Sequence, residues 1–442
     1  MKQNFKKTLK VSKQFFRFSG ILSFVLTACT MNLNAQSYRL NQVIVLNDGN
    51  TLESGGQHTR VGSYNPVTKV YQDFDTIAAQ FGSHVIIDSG FIYVGADSLL
   101  IKYDLNTHAK LATQTVIGIR EMAIWGNQIL VTTGTTFPLS AYFLAYNKSN
   151  LSLIYKNTTI SHATEGIQVL NDSAYIAIND FGSGAVGLLG VEDLKGQNEK
   201  HEVNLGVNGL NPYPVFVEPA NQKIYTLNNL NYNGSTVTKY DAPSTVFSDN
   251  SLNISTGCTS SAYYLGNVYY QPSSDDNILL FSTTTLTVWD SLKIHKFIYG
   301  MGIDSADGYI YVGQTDYLSY GNVFIYNLFG APVDSFAVDI GPGNFAFDIR
   351  AVTGVQQTSA KIVSVNVYPN PVSSMVNITF NGNTSLQKLS LVDALGKTVY
   401  EGLISSSQKS VILNMEAYSS GVYFLSIQSA DGSVIHKKIV KQ

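Results

Sequence analysis

The stretch of sequence that decides the fold is residues 91–104, which read FIYVGADSLLIKYD. Two short apolar segments, Ile92-Tyr93-Val94 and Leu100 to Tyr103, flank a Gly-Ala-Asp-Ser turn, and Asp104 follows the second segment. Aromatic and β-branched residues favour strands, whereas Gly, Asp, Asn and Ser favour turns. The stretch therefore predicts two consecutive antiparallel strands joined by a tight turn.

The first of these two strands recurs six more times along the chain. The copies are Val43-Ile44-Val45, Ile129-Leu130-Val131, Tyr175-Ile176-Ala177, Ile224-Tyr225-Thr226, Val268-Tyr269-Tyr270 and Ile310-Tyr311-Val312. Another apolar segment precedes every copy except the first, as Val85-Ile86-Ile87 precedes Ile92. An unused segment, Asn344 to Phe347, follows the last copy. The economical arrangement is a ring in which this C-terminal segment completes the first unit.

The period of the repeat matches one architecture. From Tyr38 to Val352 the seven units average 45 residues, the size of a four-stranded propeller blade. We therefore predict an all-β chain whose residues 36–355 form a seven-bladed β-propeller. The rival arrangement, an array of β-sandwiches, leaves the segment at Phe345 without a partner. Only 13% of the residues are charged, so the surface is polar rather than ionic.

Residues 1–35 have the composition of a secretory signal peptide. They contain six basic residues, no acidic residue and an apolar run from Gly20 to Cys29. Two cleavage sites stay open: one after Ala35, and one before Cys29 as a lipidated residue. Removal of this segment changes the net charge from −3 to −9, which disfavours nucleic acid and anionic membranes as partners. No later apolar run is long enough to predict a membrane span.

The tail from residue 363 onward changes in character. Its motifs are Tyr368-Pro369-Asn370-Pro371, Gly421-Val422-Tyr423-Phe424 and Lys437-Lys438-Ile439-Val440-Lys441. This module closely resembles the type A C-terminal sorting domain of type IX secretion cargo. The resemblance implies a small Ig-like β-sandwich at 363–442, after a linker at 356–362. It also implies export by the type IX secretion machinery, followed by release or surface attachment.

The sequence offers little support for catalysis. Its seven His are scattered without a metal-ligand pattern, and Cys29 and Cys258 are the only cysteines, so neither a disulfide framework nor a cysteine zinc site is predicted. We expect a monomer that is not an enzyme and that carries no cofactor or metal.

The candidate ligand-binding residues lie on one rim of the predicted ring. The loops between the second and third strands of the blades are mostly the longer ones, and loops on a rigid scaffold commonly carry function. Aromatic residues on those loops and polar or aromatic residues directly before first strands would stack and orient a flat ligand. The loop residues are Phe137, Phe181, Tyr232, Tyr317 and Tyr320, and the residues before first strands are Arg120, His162, Tyr213 and Tyr299.

The last blade carries a second resemblance. Tyr299-Gly300-Met301-Gly302-Ile303 and Gly341-Pro342-Gly343-Asn344-Phe345, together with Leu46-Asn47-Asp48-Gly49-Asn50, resemble the YncE-like propellers that accompany TonB-dependent transporters. These include surface propellers that bind corrinoids. The resemblance implies a corrinoid (cobalamin) ligand and an outer-membrane TonB-dependent transporter as partner. The alternative is a structural or adhesive surface propeller that binds protein or glycan.

Overall fold

The computed structural model describes residues 38–49, 58–183, 185–252, 255–256, 260–351, 364–381, 386–394, 397–405, 408–429 and 434–442. The predicted signal peptide with its two cleavage sites, the predicted linker and Cys258 lie outside the described residues.

The described part of the propeller contains seven four-stranded antiparallel sheets, which we number as blades 1 to 7. Blade 1 begins with β1 (Tyr38–Asn47), β2 (Thr59–Asn65) and β3 (Val70–Ile77). Blade 2 consists of β4 (Gly82–Asp88), β5 (Phe91–Ala96), β6 (Leu99–Asp104) and β7 (Lys110–Thr115). Blade 3 consists of β8 (Ile119–Trp125), β9 (Gln128–Thr133), β10 (Phe143–Asn147) and β11 (Leu153–Asn157).

The next four blades follow the same order. Blade 4 consists of β12 (Thr164–Leu170), β13 (Ser173–Ile178), β14 (Leu188–Asp193) and β15 (Asn198–Asn204). Blade 5 consists of β16 (Pro212–Glu218), β17 (Lys223–Asn228), β18 (Thr236–Asp241) and β19 (Val246–Ser251). Blade 6 consists of β20 (Ser261–Tyr264), β21 (Asn267–Tyr270), β22 (Ile278–Ser282) and β23 (Thr287–Leu292). Blade 7 consists of β24 (Gly300–Ile303), β25 (Ile310–Gln314), β26 (Asn322–Tyr326) and β27 (Pro332–Ala337). Short 3-10 helices lie at Val207–Gly209, Pro219–Asn221 and Leu230–Tyr232.

The ring closes through the last propeller strand, β28 (Pro342–Ala351), which pairs with β1 and completes blade 1. The register places Phe347 opposite Val43 and Phe345 opposite Val45, which is the predicted closure. The first residues beyond β1 strengthen it, because the backbone N–H of Asp48 donates to the carbonyl of Gly341 at 2.8 Å. Gly341 has a φ of 71°, a conformation that favours glycine. The prediction of a seven-bladed propeller is confirmed.

Apolar contacts between neighbouring blades hold the ring together. Each of seven buried clusters joins two adjacent blades, and the tyrosines of the repeat lie within them. Tyr93 of blade 2, for example, packs with Ile119 and Val131 of blade 3. At the closing interface the rings of Tyr64 and Phe336 stack with their centroids 3.8 Å apart. Burial of the repeated aromatic positions therefore stabilises the ring as a whole.

The Asp and Asn residues at the ends of the third strands form turns, as their residue types predict. The Oδ1 atom of Asp104 accepts the backbone N–H groups of Asn106 and Thr107 at 2.9 and 2.8 Å. Asn65 and Asn327 make the same kind of side-chain bond to the backbone of their own turns. These bonds end each third strand and start the hairpin to the fourth.

The tail forms two facing sheets. One contains β29 (Ser364–Tyr368), β30 (Met375–Asn381) and β33 (Ser410–Asn414), and the other contains β31 (Leu386–Asp393), β32 (Thr398–Leu403), β34 (Gly421–Ser429) and β35 (Val434–Lys441). Their inner side chains, such as Ile378, Leu391 and Leu425, form one buried core. Asn370 donates to the carbonyl of Lys438 at 2.6 Å and accepts from the N–H of Val440 at 2.8 Å. The predicted small β-sandwich is confirmed.

Candidate binding site at the mouth of the propeller channel

The innermost strand of each blade faces the central channel. These strands are β28, β4, β8, β12, β16, β20 and β24, and six of the seven neighbouring pairs lie in close contact around the ring. At the end where the inner strands begin, the channel widens into a cavity of about 480 Å³, which we call the mouth. Its lining comes from the starts of six inner strands and from nearby loops. A cavity of this size suits a small-molecule ligand.

An ion pair lies at the wall of the mouth. The Nε atom of Arg120, on β8, donates to Oε2 of Glu165, on β12, at 2.6 Å, and the Glu165 side chain is only 5% exposed. Burial opposes the charge of Arg120, but Glu165, Tyr213 and Glu121 together outweigh this and raise the pKa of Arg120. The guanidinium also lies over the ring of Phe181, 5.1 Å from its centroid. The pair thus holds a flat cationic group beside an aromatic face.

A second polar group joins three blades. The Tyr299 hydroxyl, before β24, donates to Oδ2 of Asp48, which follows β1. The backbone N–H of Gly82, at the start of β4, donates to Oδ1 of Asp48 at 3.0 Å. Burial raises the pKa of Asp48 to about 6, although both hydrogen bonds oppose the rise. Tyr317 meets the Tyr299 ring edge to face at 5.3 Å and carries the aromatic surface outward.

Two further titratable groups line the mouth. Burial raises the pKa of Glu121 to about 7; a hydrogen bond from the backbone N–H of Ile167, 3.3 Å from its Oε2, opposes the rise. Burial lowers the pKa of His84 to about 4, so this ring is neutral at physiological pH. Because the Nδ1 of His84 accepts the N–H of Met122 at 3.0 Å, the neutral ring carries its proton on Nε2. Perturbed pKa values of this kind cluster at functional sites.

Five of the nine predicted ligand-binding residues come together here. Arg120, Phe181, Tyr213 and Tyr299 line the mouth, and Tyr317 contacts Tyr299. Tyr213 lies within electrostatic range of both Arg120 and Tyr299. These five residues form one surface that combines aromatic faces with polar groups.

The other four predicted residues lie apart from the cavity. Phe137, Tyr232 and Tyr320 are 55%, 57% and 64% exposed, and Tyr232 lies in a separate pocket beside Asn233 and Ser235. The ring of His162 contacts Ser161, whose hydroxyl also bonds Glu202 on β15, the outermost strand of blade 4. The mouth as the structure forms it does not include these four side chains.

The sequence-based reasoning missed Asp48, His84, Glu121 and Glu165. The sequence contained a signal for His84, Glu121 and Glu165, because each lies at the start of an inner strand, just before its apolar run. The same positional rule had selected Arg120, Tyr213 and Tyr299. Asp48 has a different origin, since it follows the second strand of its blade and reaches the mouth only through ring closure.

The part of the chain that the structure describes contains no group of three His, Cys, Asp or Glu side chains able to hold a metal ion. The cluster of Ser161, His162 and Glu202 has the residue types of a catalytic triad but not its order. The serine hydroxyl bonds both partners, so the histidine does not lie between serine and carboxylate. Within the described residues, no helix is long and apolar enough to cross a membrane.

The tail matches a known family. Residues 366–442 match the secretion system C-terminal sorting domain. Export through the type IX secretion system to the cell surface or extracellular space follows from this match. An ulvan lyase of Nonlabens ulvanivorans is 33% identical over 88 residues, which are 20% of this chain and 16% of that protein.

Two solved structures resemble the chain in fold. A chain of the hydrazine synthase of Kuenenia stuttgartiensis superposes with a TM-score of 0.50 at 13% identity, over 60% of this chain and 88% of that chain. A chain of the mitotic checkpoint complex superposes with a TM-score of 0.51 at 12% identity, over 65% of this chain and 86% of that chain. At these identities the likeness concerns the fold alone. The molecule is therefore an exported β-propeller with a sorting tail.

Proposed function

We propose that the exported propeller binds a small ligand across its mouth. The observation that carries this proposal is the convergence of Arg120, Asp48, Phe181, Tyr213 and Tyr299 on one cavity of about 480 Å³. Ligand sites typically combine apolar and aromatic walls with a few polar groups that fix orientation. Because the charge of Arg120 is compensated by Glu165, a ligand without net charge suits this part of the wall.

Within this class we propose a corrinoid such as cobalamin, delivered to an outer-membrane TonB-dependent transporter. The support is the resemblance of the segments at 46–50, 299–303 and 341–345, which contribute Asp48, Tyr299 and Gly343 to the lining of the mouth. The close approach of Tyr299 explains why position 343 is a glycine, because a Cβ atom there would lie 3.2 Å from the Tyr299 ring. In this arrangement the corrin macrocycle would lie across the opening against Tyr317 and direct its amide edges toward Arg120.

A retention experiment tests the corrinoid proposal. The mature chain is incubated with cobalamin or with cobinamide, desalted, and examined by visible absorbance. We expect the corrinoid spectrum to elute with the protein at about one equivalent. A protein fraction without corrinoid absorbance, together with no heat in a calorimetric titration, would contradict the proposal.

An adhesive function is the second candidate, and a specific observation favours it. Phe137, Tyr232 and Tyr320 are more than half exposed on the same rim but outside the mouth. Exposed aromatic side chains of this kind stack on sugars or on apolar protein surfaces. On a glycan array, the variant in which all three are replaced by Ala should lose the glycan-binding signal. The Phe181→Ala variant should retain it. A signal lost only in Phe181→Ala would place glycan binding in the mouth instead.

A further inference from the structure

The sorting tail contacts the propeller at blades 6 and 7. Leu403, the last residue of β32, packs against the buried cluster that joins these two blades. Gln428, on β34, donates from Nε2 to the carbonyl of Ala306 at 2.9 Å, in the turn between β24 and β25. The register of the tail sheet places Leu403 and Gln428 on either side of Lys388, so the three side chains form one row on one face. The neighbouring Leu389 points the other way, into the tail core, so this row lies on the outer face of the sheet.

A charged residue of the tail lies near the same blades. Glu401, two positions before Leu403 on β32, pairs with Lys388 at 3.1 Å. Burial raises the pKa of Tyr264, the last residue of β20, to about 12, and the carboxylates of Asp304 and Glu401 add to the rise. The Glu401 carboxylate is thus within electrostatic range of blade 6, which agrees with the packing of Leu403.

This contact lies at the end of the channel opposite the mouth. The inner strands begin at the mouth, whereas Tyr264 ends β20 and Ala306 follows the end of β24. The described lining of the mouth contains no residue of the tail. The tail therefore leaves the mouth open while it is attached.

A groove of about 410 Å³ runs beside the contact, between the tail sheet and the propeller. Its propeller wall contains Leu265, Trp289 and Phe329, which are 36%, 52% and 38% exposed. The indole N–H of Trp289 donates to Oδ1 of Asn267 at 2.8 Å, which holds the ring against blade 6. Large exposed apolar side chains that lie together mark interaction surfaces.

The covalent connection favours the tail as the occupant of this surface. Positions 352–363 alone separate the end of β28 from the start of β29. A tether of this length holds the tail near the propeller at an effective concentration on the order of millimolar. One packed leucine and one hydrogen bond are little against the cost of bringing two separate molecules together. The contact should therefore form in the intact chain and be lost when the tether is cut.

We propose that blades 6 and 7 carry a docking surface for the sorting tail, which is occupied while the tail is attached and vacated when the tail is removed. Leu403 and Gln428 make the contact from the side of the tail. Removal of the tail uncovers Trp289 and Phe329, and the mouth is open in both states. The inference goes beyond the proposed function, because docking of the tail does not depend on the ligand of the mouth.

The test uses the fluorescence of Trp289. The chain contains two tryptophans, Trp125 and Trp289, so Trp125→Phe makes Trp289 the single reporter. In this background, a chain of residues 36–442 receives a protease site within the predicted linker at 356–362. Quenching by acrylamide then measures the accessibility of Trp289 in the same sample before and after the tail is cut. Size-exclusion chromatography shows whether the cut tail leaves the propeller.

A matched pair of variants in this background tests the contact in the uncut chain. Leu403→Asp places a charge in the contact but spares the tail core, to which Leu403 does not belong. Ile412→Asp is the control, since Ile412 is 63% exposed on β33, in the other sheet of the tail. The melting temperature of each variant checks that it is folded.

Cutting the linker should raise the quenching constant of Trp289 by up to about twofold, because loss of the tether releases the tail and the indole is already 52% exposed. Uncut Leu403→Asp should show the same rise, and uncut Ile412→Asp should match the uncut parent. Equal quenching before and after the cut would overturn the proposal. So would a tail that still elutes with the propeller, or an uncut Leu403→Asp that matches the parent. Cobinamide retention, measured separately, tests the mouth.

Discussion

The starts and the later residues of the inner strands differ in the charge of their side chains. The starts line the mouth, which contains Asp48, Arg120 and Glu121, whereas the described residues that line the channel beyond it include no Asp, Glu, Lys or Arg. The change occurs within two or three residues along a strand, as β8 passes from Arg120 and Glu121 to Ala123 and Ile124. Ala123 and Ile124 pack against the buried clusters between blades, so the strand starts serve the site and the later residues serve the ring.

Opening the ring should have the largest effect, because the mouth and the rest of the channel depend on closure. Deletion of Gly343–Ala351 removes most of β28 and leaves the edge of β1 unpaired, and free edges invite aggregation. We expect aggregation or a loss of the cooperative melting transition. Deletion of residues 364–442, which lie outside the ring, is the control and should leave a folded propeller. An unchanged melting transition after loss of β28 would contradict closure of the ring through this strand.

Breaking the ion pair should have the next largest effect, and it should act on the mouth. Arg120→Ala leaves the buried Glu165 carboxylate without its partner, so we expect the free energy of unfolding to fall by about 3 kcal/mol. Adding Glu165→Gln to this variant should restore part of the lost stability, because the substitution removes the uncompensated charge. Denaturant unfolding of the single and double variants measures both effects. If Arg120→Ala is as stable as the wild type, the pair does not hold the wall of the mouth.

A change of pH should test whether the two acidic groups of the mouth are buried. Burial raises the folded-state pKa of Glu121 to about 7 and of Asp48 to about 6, above the ordinary values of 4.5 and 3.8. The folded protein therefore holds protons that the unfolded chain releases, and stability should fall as pH rises from about 4 to 7. At pH 8 we expect Glu121→Gln to be more stable than the wild type by about 1–2 kcal/mol, and at pH 4 to be equal to it.

The control for this prediction is Glu416→Gln, an exposed residue of the tail, which should not alter the pH profile. A stability profile of Glu121→Gln parallel to that of the wild type would show that Glu121 is not buried as described.

The ring could be predicted from sequence because each blade repeats the same local pattern. The pairing of the segment at Phe345 to Phe347 with the strand at Val43 to Val45 then follows from counting strands. The contacts of the site could not be predicted in this way, because they join blades. Arg120 meets Glu165 across 45 positions, and Tyr299 meets Asp48 across 251. The curvature of the ring fixes such contacts, so position before an inner strand indicated Arg120 and Tyr299 but not their partners.

Two phenylalanines distinguish ligand binding in the mouth from binding on the exposed rim. Phe181 and Phe137 lie on corresponding loops of blades 4 and 3, but only Phe181 lines the cavity and contacts Arg120. Calorimetric titration of cobinamide into the mature chain and into each Ala variant measures the difference. We predict that Phe181→Ala weakens binding by about 1–3 kcal/mol and that Phe137→Ala leaves it unchanged. Equal affinities in the two variants, or a larger loss in Phe137→Ala, would contradict the account.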